Sequence, residues 1–254
     1  MTGPVRHTRH LDLEGTVNLR DLGGYETAEG RRTRWRTFLR CGTMHRITDA
    51  SKAALVDMGL RTVIDLRTTV EIQDQPNVFA GSDHVAYRRQ NMVGDEPQSD
   101  SSVTDVMGEV SEMILSSYGR TLDSRQEQVR LTLAALAEPG ALPAVYHCAG
   151  GKDRTGMISA LLLGIAGIPD ETIAQDYALS ATYLLDRYMT EQAPPGMVAG
   201  SYTAQDYQYE FCPPEGMLAV LTHLRDRYGG VEGYVRAVGL GDLEIDRLRS
   251  ALVE

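Results

Sequence analysis

One stretch of the 254-residue sequence constrains the fold more than any other, because it joins a strand, a glycine-containing loop and a buried helix without a break. Residues 144–146 are Ala-Val-Tyr, which predicts a short buried strand. From Ile158 to Ile165, apolar residues recur at the spacing of one helix face. A strand that passes directly into a buried helix is typical of an α/β domain.

The rest of the chain alternates strand and helix patterns as far as this buried helix and is helical beyond it. We expect one domain over residues 1–254, with a loosely held arm at 1–15 and a lid or loop insertion at 186–215. The C-terminal third is predicted to be a helical elaboration of that domain. The strands are predicted at 34–40, 61–66 and 84–88, and the helices before the loop at 49–58, 106–117 and 129–136.

Charge and cysteine content exclude several classes of protein. A formal charge of −10 and a pI of about 5.1 oppose nucleic-acid binding, which requires a basic face. The three cysteines are too few for a disulfide framework and include no CxxC pair, so no zinc site is predicted. No apolar run reaches the ~18 residues of a membrane span, and residues 1–10 lack a secretory signal. We expect a cytoplasmic protein without stable membrane insertion, and signal-independent secretion stays open.

The loop after the predicted strand carries the residues that point to chemistry. Gly150 and Gly151 allow backbone N–H groups to turn inward and form an anion-binding nest. The helix that begins near Arg154 directs its N-terminal amides at the same space, and the guanidinium matches two oxygens of a phosphate. Cys148 lies at the bottom of this predicted pocket, where such a field lowers a thiol pKa from roughly 8.5 to roughly 3.5–7.5. The pattern predicts a thiolate nucleophile that faces a tetrahedral dianion.

The alternative for Cys148 is an inert core thiol, which is common among free cysteines. A cysteine and an arginine separated by five residues are by themselves a weak signal. The full string from His147 to Gly156 adds two glycines, a lysine and a Thr-Gly pair to that spacing. A core cysteine does not need such a loop beside it, so the string favours the nucleophile.

This string resembles the phosphate loop of cysteine-dependent protein tyrosine phosphatases, and more narrowly that of the atypical bacterial tyrosine/serine phosphatases of the tyrosine phosphatase B type. The resemblance spans nearly the whole chain and is weakest at 91–125 and 186–215. It implies an α/β fold with a central, mostly parallel sheet flanked by helices. The other segments that carry it are Asn18–Gly24, Phe38–Gly42, Val63–Arg67 and Tyr228–Tyr234.

The resemblance also implies a two-step phosphatase reaction that uses no cofactor and no metal. Cys148 attacks the phosphoryl group to form a phosphocysteine, Arg154 and the loop amides hold the oxygens, and an acid protonates the leaving group. In this family the acid follows the strand after the Asp-Leu-Arg element, which here points to Asp95. The alternative is Asp153, inside the loop, where the neighbouring arginine favours the ionised carboxylate.

The remaining loop residues are expected to bind the substrate, and a further set is expected to support the loop. Lys152 would contact a second phosphate or an acidic substrate, the alternative being a solvated lysine. Thr155 is expected to donate its hydroxyl to the sulfur of Cys148. The predicted substrate-binding residues are Ala149, Gly150, Gly151, Lys152, Thr155 and Gly156. The predicted supporting residues are His147, Asn18, Arg20, Asp21, Asp65 and Arg67.

The leading interpretation is a phosphatase that hydrolyses phosphotyrosine and, through dual or triple specificity, phosphoserine/threonine or phosphoinositides. Its partner would be a phosphorylated protein or a phosphoinositide. Two alternatives stay open: an inositol-phosphate or small-molecule phosphatase, which pocket depth would distinguish, and a phospho-binding pseudophosphatase. The presence of both Cys148 and Arg154 opposes the pseudophosphatase, since loss of either is the usual route to one.

Overall fold

A computed structural model of the chain describes residues 7–95, 110–198 and 200–254. Its strands are β1 (Arg20–Asp21), β2 (Phe38–Cys41), β3 (Thr62–Asp65), β4 (Ala86–Arg89) and β5 (Ala144–His147). They form one sheet in the order β1-β2-β5-β3-β4. β1 pairs antiparallel with β2, and the other three pairings are parallel. The predicted mostly parallel sheet is confirmed.

Helices cover both faces of this sheet. They are α1 (Asp49–Asp57), α2 (Thr69–Asp74), α3 (Val110–Ser124), α4 (Gln126–Ala137), α5 (Asp153–Ile165), α6 (Asp170–Ala178), α7 (Ser180–Glu191), α8 (Ala204–Phe211), α9 (Pro214–Tyr228), α10 (Val231–Ala237) and α11 (Asp242–Leu252). Leu55 of α1 packs with Val63 and Val145 on one face. The other face, with Ile64 and Tyr146, packs against the helices from α3 onward. The fold is therefore α/β with a helical C-terminal region.

The central helix α5 explains where a site can form. Ten of its 13 residues are buried, which agrees with the predicted buried, strongly apolar helix. It packs against β2 and β5 and is enclosed by α6, α10 and α11. The loop between β5 and α5 consequently opens at the carboxyl edge of the parallel strands, where α/β proteins bind their ligands.

The N-terminal arm is docked where the structure describes it, contrary to the predicted loose arm at 1–15. Leu11 is 6% exposed, and His10 forms a β-bridge with Arg20. The guanidinium of Arg9 lies 3.5 Å from the centroid of the Tyr25 ring. Apolar burial and a cation–π contact therefore hold residues 7–15 against the domain.

The predicted lid or loop insertion at 186–215 contains helical structure. α7 extends to Glu191, and α8 occupies 204–211, where Thr203 caps its first turn. A lid function for this segment stays a prediction. The helix predicted from residue 106 begins at Val110 among the described residues, and its earlier part lies outside them. None of the described helices is both long enough and apolar enough to cross a membrane.

Candidate active site

Cys148 follows β5 directly and has a side chain that is 1% exposed. The loop after it reaches α5 at Asp153, so Arg154 lies in the first helical turn. The positive end of the helix dipole is directed at the same loop. The structure thus brings the predicted nucleophile and the predicted phosphate-binding arginine to one strand–loop–helix junction.

The two loop glycines differ in what the backbone requires of them. Gly151 has a φ of +66°, and a Cβ there would lie 2.5 Å from the amide nitrogen of Gly42. A side chain at this position would therefore be strained and would also collide with the end of β2. A Cβ at Gly150 would meet nothing within 4 Å. The tight loop needs the second glycine, and the first faces open space.

The carbonyl groups of the loop backbone have hydrogen-bond partners, whereas in the described part of the chain its N–H groups do not. The N–H of Thr43 donates to the carbonyl of Ala149 at 2.9 Å, and Asn18 Nδ2 donates to the two glycine carbonyls at 3.1 and 3.0 Å. Among the described residues, the backbone N–H groups of residues 149–154 donate no hydrogen bond. Successive N–H groups without acceptors form an anion-binding concavity. The carbonyl groups of the loop therefore accept hydrogen bonds from residues outside it, and its N–H groups remain available to bind an anion.

Arg154 is held by a carboxylate that the sequence analysis did not single out. Its Nη1 and Nη2 donate to the two carboxylate oxygens of Glu71, each at 2.7 Å. Glu71 is fixed in α2 by a reciprocal capping box with Thr68. Burial favours a higher pKa for Glu71, but the hydrogen bonds and charge of Arg154 outweigh it and lower that pKa to about 2. The guanidinium is thus oriented before a substrate arrives.

Three of the predicted supporting residues meet on the β3 side of the loop. Asp65 accepts from Arg67 Nε at 2.9 Å and from Arg67 Nη2 at 2.7 Å. His147 Nε2 lies 3.3 Å from the same carboxylate and 2.8 Å from Asn77 Nδ2. Burial favours a higher pKa for Asp65, but these hydrogen bonds hold it well below its usual range. A buried ion pair therefore fixes the residue immediately before Cys148.

The supporting residues predicted near the N-terminus divide into two groups. Asn18 touches the loop directly, and Arg20 donates to the carbonyl of Asn18 at 3.3 Å. Asp21 instead accepts from the backbone N–H groups of Gly23 and Arg36, each at 2.8 Å. Its carboxylate therefore satisfies backbone groups of the turn before β2, and a supporting role for Asp21 at the phosphate loop itself stays a prediction.

Two residues predicted to bind substrate are buried beneath the loop. Thr155 Oγ1 donates to the carbonyl of Cys41 at 3.5 Å, in place of the predicted hydrogen bond to the sulfur of Cys148. Gly156 lies against the ring of Tyr177, where a Cβ would be 3.0 Å from the nearest ring carbon. Both residues pack α5 closely onto its neighbours, so their place is structural.

Lys152 and Asp153 lie at the rim of the loop. Lys152 Nζ donates to the carbonyl of Phe211 at the end of α8, at 3.1 Å, and lies 3.5 Å from Asp153. Asp153 is 49% exposed and accepts a short hydrogen bond from the hydroxyl of Tyr118. Burial and the nearby carboxylate raise the pKa of Tyr118 well above its ordinary value, so its hydroxyl remains a donor.

Asp95, the other predicted acid, is engaged locally. It accepts from the N–H and hydroxyl of Thr69 at 2.7 and 2.6 Å and from Asn91 Nδ2 at 2.8 Å. The hydrogen bonds from Thr69 are the main cause of its lowered pKa. This exposed carboxylate lies beside the first turn of α2, and residues 96–109 after it are outside the described part of the chain. Its catalytic role stays a prediction.

Helices α7 and α8 border the mouth of the loop. A pocket of about 220 Å³ is lined there by Leu184, Tyr188 and Tyr207 and by the cationic side chain of Arg187. Arg187 Nη1 donates to the carbonyl of Ala149 at 3.3 Å. A second pocket, of about 370 Å³, is lined by Arg154 and by other residues of α2, α3 and α5. The loop therefore opens between two concave surfaces, one of them rich in aromatic groups.

The other cysteines and the metal-binding side chains do not form a second centre in the described residues. Burial raises the pKa of Cys41 to about 12 and that of Cys212 to about 11, so both thiols stay protonated at neutral pH. No group of three or more His, Cys, Asp or Glu side chains among those residues is placed to hold a metal ion.

Several residues at the site escaped the sequence analysis. Glu71 had a usable signal, since Thr68-x-x-Glu71 is a capping-box pattern directly after the Asp-Leu-Arg element. The others come from distant helices and strands and contact the loop, the first residue of α5 or, for Asp176, a residue that holds the loop. Their positions in the sequence did not place them at the site. They are Arg40, Tyr118, Asp176 and Arg187.

Comparison with known proteins agrees with this geometry. A model of the tyrosine phosphatase family matches residues 11–254. A tyrosine-protein phosphatase from Nostoc commune is 31% identical over 229 residues, which cover 85% of this chain and 74% of that protein. The triple specificity protein phosphatase PtpB from Mycobacterium tuberculosis is 24% identical in an alignment that covers 95% of this chain and 98% of that protein. The matched residues include the loop and the helices at its mouth.

Proposed function

Because the chain belongs to the tyrosine phosphatase family and is a hydrolase of that family, we propose that it hydrolyses phosphotyrosine through a phosphocysteine on Cys148. The observation that carries this proposal is the loop backbone, whose carbonyls are held from outside while the N–H groups of 149–154 are available. Together with the fork of Arg154, such a cradle fits the three terminal oxygens of a phosphate monoester.

In the first step, the Cys148 thiolate attacks phosphorus as the bond from phosphorus to the leaving oxygen breaks. The leaving oxygen takes a proton from a carboxylic acid, and the phosphoryl group remains on sulfur. Arg154 and the loop amides hold the equatorial oxygens, where charge is greatest in the transition state. The ion pair with Glu71 sets the plane of the guanidinium for this contact.

In the second step, water attacks the phosphocysteine, the carboxylate accepts a proton from that water, and the thiolate leaves. Inorganic phosphate is released and the acid is regenerated in its protonated form. Asp153 is the better placed of the two candidate acids, because it lines both pockets and shares the second of them with Arg154. Asp95 is the alternative, and its carboxylate would first have to leave Thr69 and Asn91.

The pocket beside α7 and α8 supports an aromatic phosphate ester as substrate. Leu184, Tyr188 and Tyr207 supply apolar and aromatic surface for a phenyl ring. Lys152 and Arg187 lie at the same pocket and suit an acidic peptide or a second phosphate. The similarity to a triple specificity phosphatase supports a wider range that includes phosphoserine/threonine and phosphoinositides.

These two cations also favour one alternative function, a phosphatase for inositol phosphates or other small phosphorylated molecules. Specificity constants for a phosphotyrosine peptide, its phosphoserine counterpart, soluble inositol phosphates and phosphoinositide in vesicles separate the classes. We expect the phosphotyrosine peptide to have the highest kcat/KM, because it alone fills the aromatic pocket.

The central test is phosphate release from p-nitrophenyl phosphate, with EDTA and reductant present, by the wild type and by Cys148→Ser. We expect turnover by the wild type and a loss of about 10³-fold or more in the variant, because a serine hydroxyl is not ionised at neutral pH. Equal activity in both proteins would show that Cys148 is not the nucleophile. Phosphate binding without turnover in the wild type would indicate a phospho-binding module.

A further inference from the structure

A second ion-pair cluster lies behind the phosphate loop, on the β2 side. Arg20 and Arg40 are 0% exposed and Asp176 of α6 is 1% exposed. Arg40 Nη1 donates to one carboxylate oxygen of Asp176 in a short hydrogen bond, and Arg20 Nε lies 3.3 Å from the other. The remaining terminal nitrogen of Arg40, Nη2, donates to the carbonyl of Gly151 at 2.9 Å. One guanidinium thus joins the buried carboxylate to the loop backbone.

The charges of this cluster do not cancel. Two guanidinium groups share one carboxylate, and the third partner, the hydroxyl of Tyr25, donates to Asp176 at 2.8 Å as a neutral group. Buried charges without full compensation destabilise a fold. Arg40 Nε also has no acceptor among the described residues, which adds a further cost. An arrangement that is unfavourable for stability indicates that the charge serves the site.

The hydrogen bond to Gly151 determines the direction of one loop amide. In a trans peptide, the carbonyl of one residue and the N–H of the next point in opposite directions. Arg40, with Asn18 Nδ2 as a second donor at 3.0 Å, holds the Gly151 carbonyl and therefore directs the N–H of Lys152 to the opposite side. That N–H makes no hydrogen bond in the described structure. The close contact between Gly151 and Gly42 prevents the loop from moving toward β2.

We propose that Arg40 is a positioning residue for the phosphate loop: it fixes the peptide between Gly151 and Lys152 with its N–H toward the bound phosphate, and its buried positive charge stabilises the anion in the loop. Asp176 holds the guanidinium in place for this contact. The inference rests on the proposed phosphatase function, since it concerns how the same loop binds phosphate.

The test compares Arg40→Met with Tyr25→Phe. Both variants remove a hydrogen bond to Asp176, but only Arg40 contacts the loop. The readouts are inhibition by inorganic phosphate, the pH midpoint of Cys148 alkylation by iodoacetamide, and thermal melting. We expect Arg40→Met to weaken phosphate binding about 10- to 30-fold and to raise the alkylation midpoint by about one pH unit. Tyr25→Phe should change phosphate affinity by no more than about twofold and the alkylation midpoint by no more than about 0.3 pH unit.

A lower melting temperature in Arg40→Met, with unchanged phosphate binding and alkylation midpoint, would overturn the positioning role. If Arg40→Met does not fold, Arg40→Lys decides the question, because an ammonium keeps the charge but lacks the planar fork. We expect Arg40→Lys to bind phosphate more weakly at a nearly unchanged alkylation midpoint, and wild-type phosphate affinity would contradict the inference. Failure of the wild type to bind or release phosphate would instead reject the proposed function.

Discussion

The two sides of the phosphate loop are built differently. Behind it, Arg20, Arg40 and Asp176 are at most 1% exposed and form contacts that exclude solvent. In front of it, the side chains of Glu71 and Asp153 are 30% and 49% exposed. Desolvated ion pairs hold one geometry, whereas partly solvated ones exchange partners at little cost. The back of the loop therefore sets its shape before binding, and the partly exposed side chains in front of it are accessible to a substrate.

The largest effect on catalysis is expected from a substitution in front of the loop, at Asp153. Asp153→Asn should lower kcat for an aryl phosphate by about 10²–10³-fold, because an amide cannot protonate the leaving oxygen. The loss should be smaller with p-nitrophenyl phosphate than with an aryl phosphate that has a more basic leaving group, because nitrophenolate needs less protonation. The melting temperature should hardly change. Asp95→Asn is the matched control, and a larger loss in that variant would make Asp95 the acid.

The next effect is expected within the loop itself, at the residue that faces the back. Gly151→Ala should lower the free energy of unfolding by about 1–3 kcal/mol and weaken phosphate binding, because its left-handed backbone is strained for alanine and its Cβ meets Gly42. Gly150→Ala has room for the added methyl and should be nearly neutral in stability. Chemical denaturation of the two variants measures the difference, and equal losses would contradict the assigned backbone geometry.

Glu71→Gln should have an intermediate effect, since the change leaves Arg154 in place but weakens its anchor. We expect kcat/KM to fall about tenfold, mainly through kcat, because the guanidinium is less well oriented in the transition state. The pKa of Glu71 is about 2 in the folded protein against an ordinary value of 4.5. Because the folded pKa is the lower one, the stabilisation is complete above about pH 4.5 and is lost as the pH falls toward 2.

Denaturation of the wild type and Glu71→Gln at several pH values checks that sign. The difference in free energy of unfolding should be largest near neutral pH and should shrink steadily below pH 4.5. A difference that grows with acidity would show that the ion pair with Arg154 does not stabilise the fold.

The smallest effect is expected from Lys152→Ala, at the rim. The loss for a singly phosphorylated peptide should be about two- to fivefold, and larger for a substrate with a second phosphate, because partly exposed charges contribute little individually. Lys52→Ala is a close control. Lys52 Nζ also donates to a backbone carbonyl, that of Val78 at 2.8 Å, and it also lies over a phenylalanine ring. Equal losses of activity in both variants would indicate that the substitutions act by destabilising the fold.

The sequence predicted those parts of the fold that depend on residues close to one another in the chain. The run from β5 through the loop into α5 is continuous in sequence, so its pattern was sufficient to place Cys148 and Arg154 together. The helix α8 was not predicted, since a capped helix of eight residues lies between prolines and tyrosines in a segment interpreted as a lid or loop. Its first turn depends on a hydrogen bond that the side chain of Thr203 accepts from the backbone N–H of Asp206.

The contacts that orient the site could not be predicted because they join distant segments. Glu71 and Arg154 lie 83 residues apart, and Arg40 and Asp176 lie 136 apart. Thr155 was expected to face the sulfur, but the packing of α5 against β2 turns its hydroxyl toward Cys41. In each case the tertiary arrangement selects one partner from several that the residue type would allow.

The unpaired N–H groups of residues 149–154 give the loop a property that is independent of turnover. Amide hydrogens without an acceptor exchange readily with deuterium from the solvent, and those that bind an anion become protected. Deuterium uptake across this short segment would therefore report ligand occupancy directly, even in a Cys148→Ser protein that releases nothing. The degree of protection at each amide would show which N–H groups bind the anion.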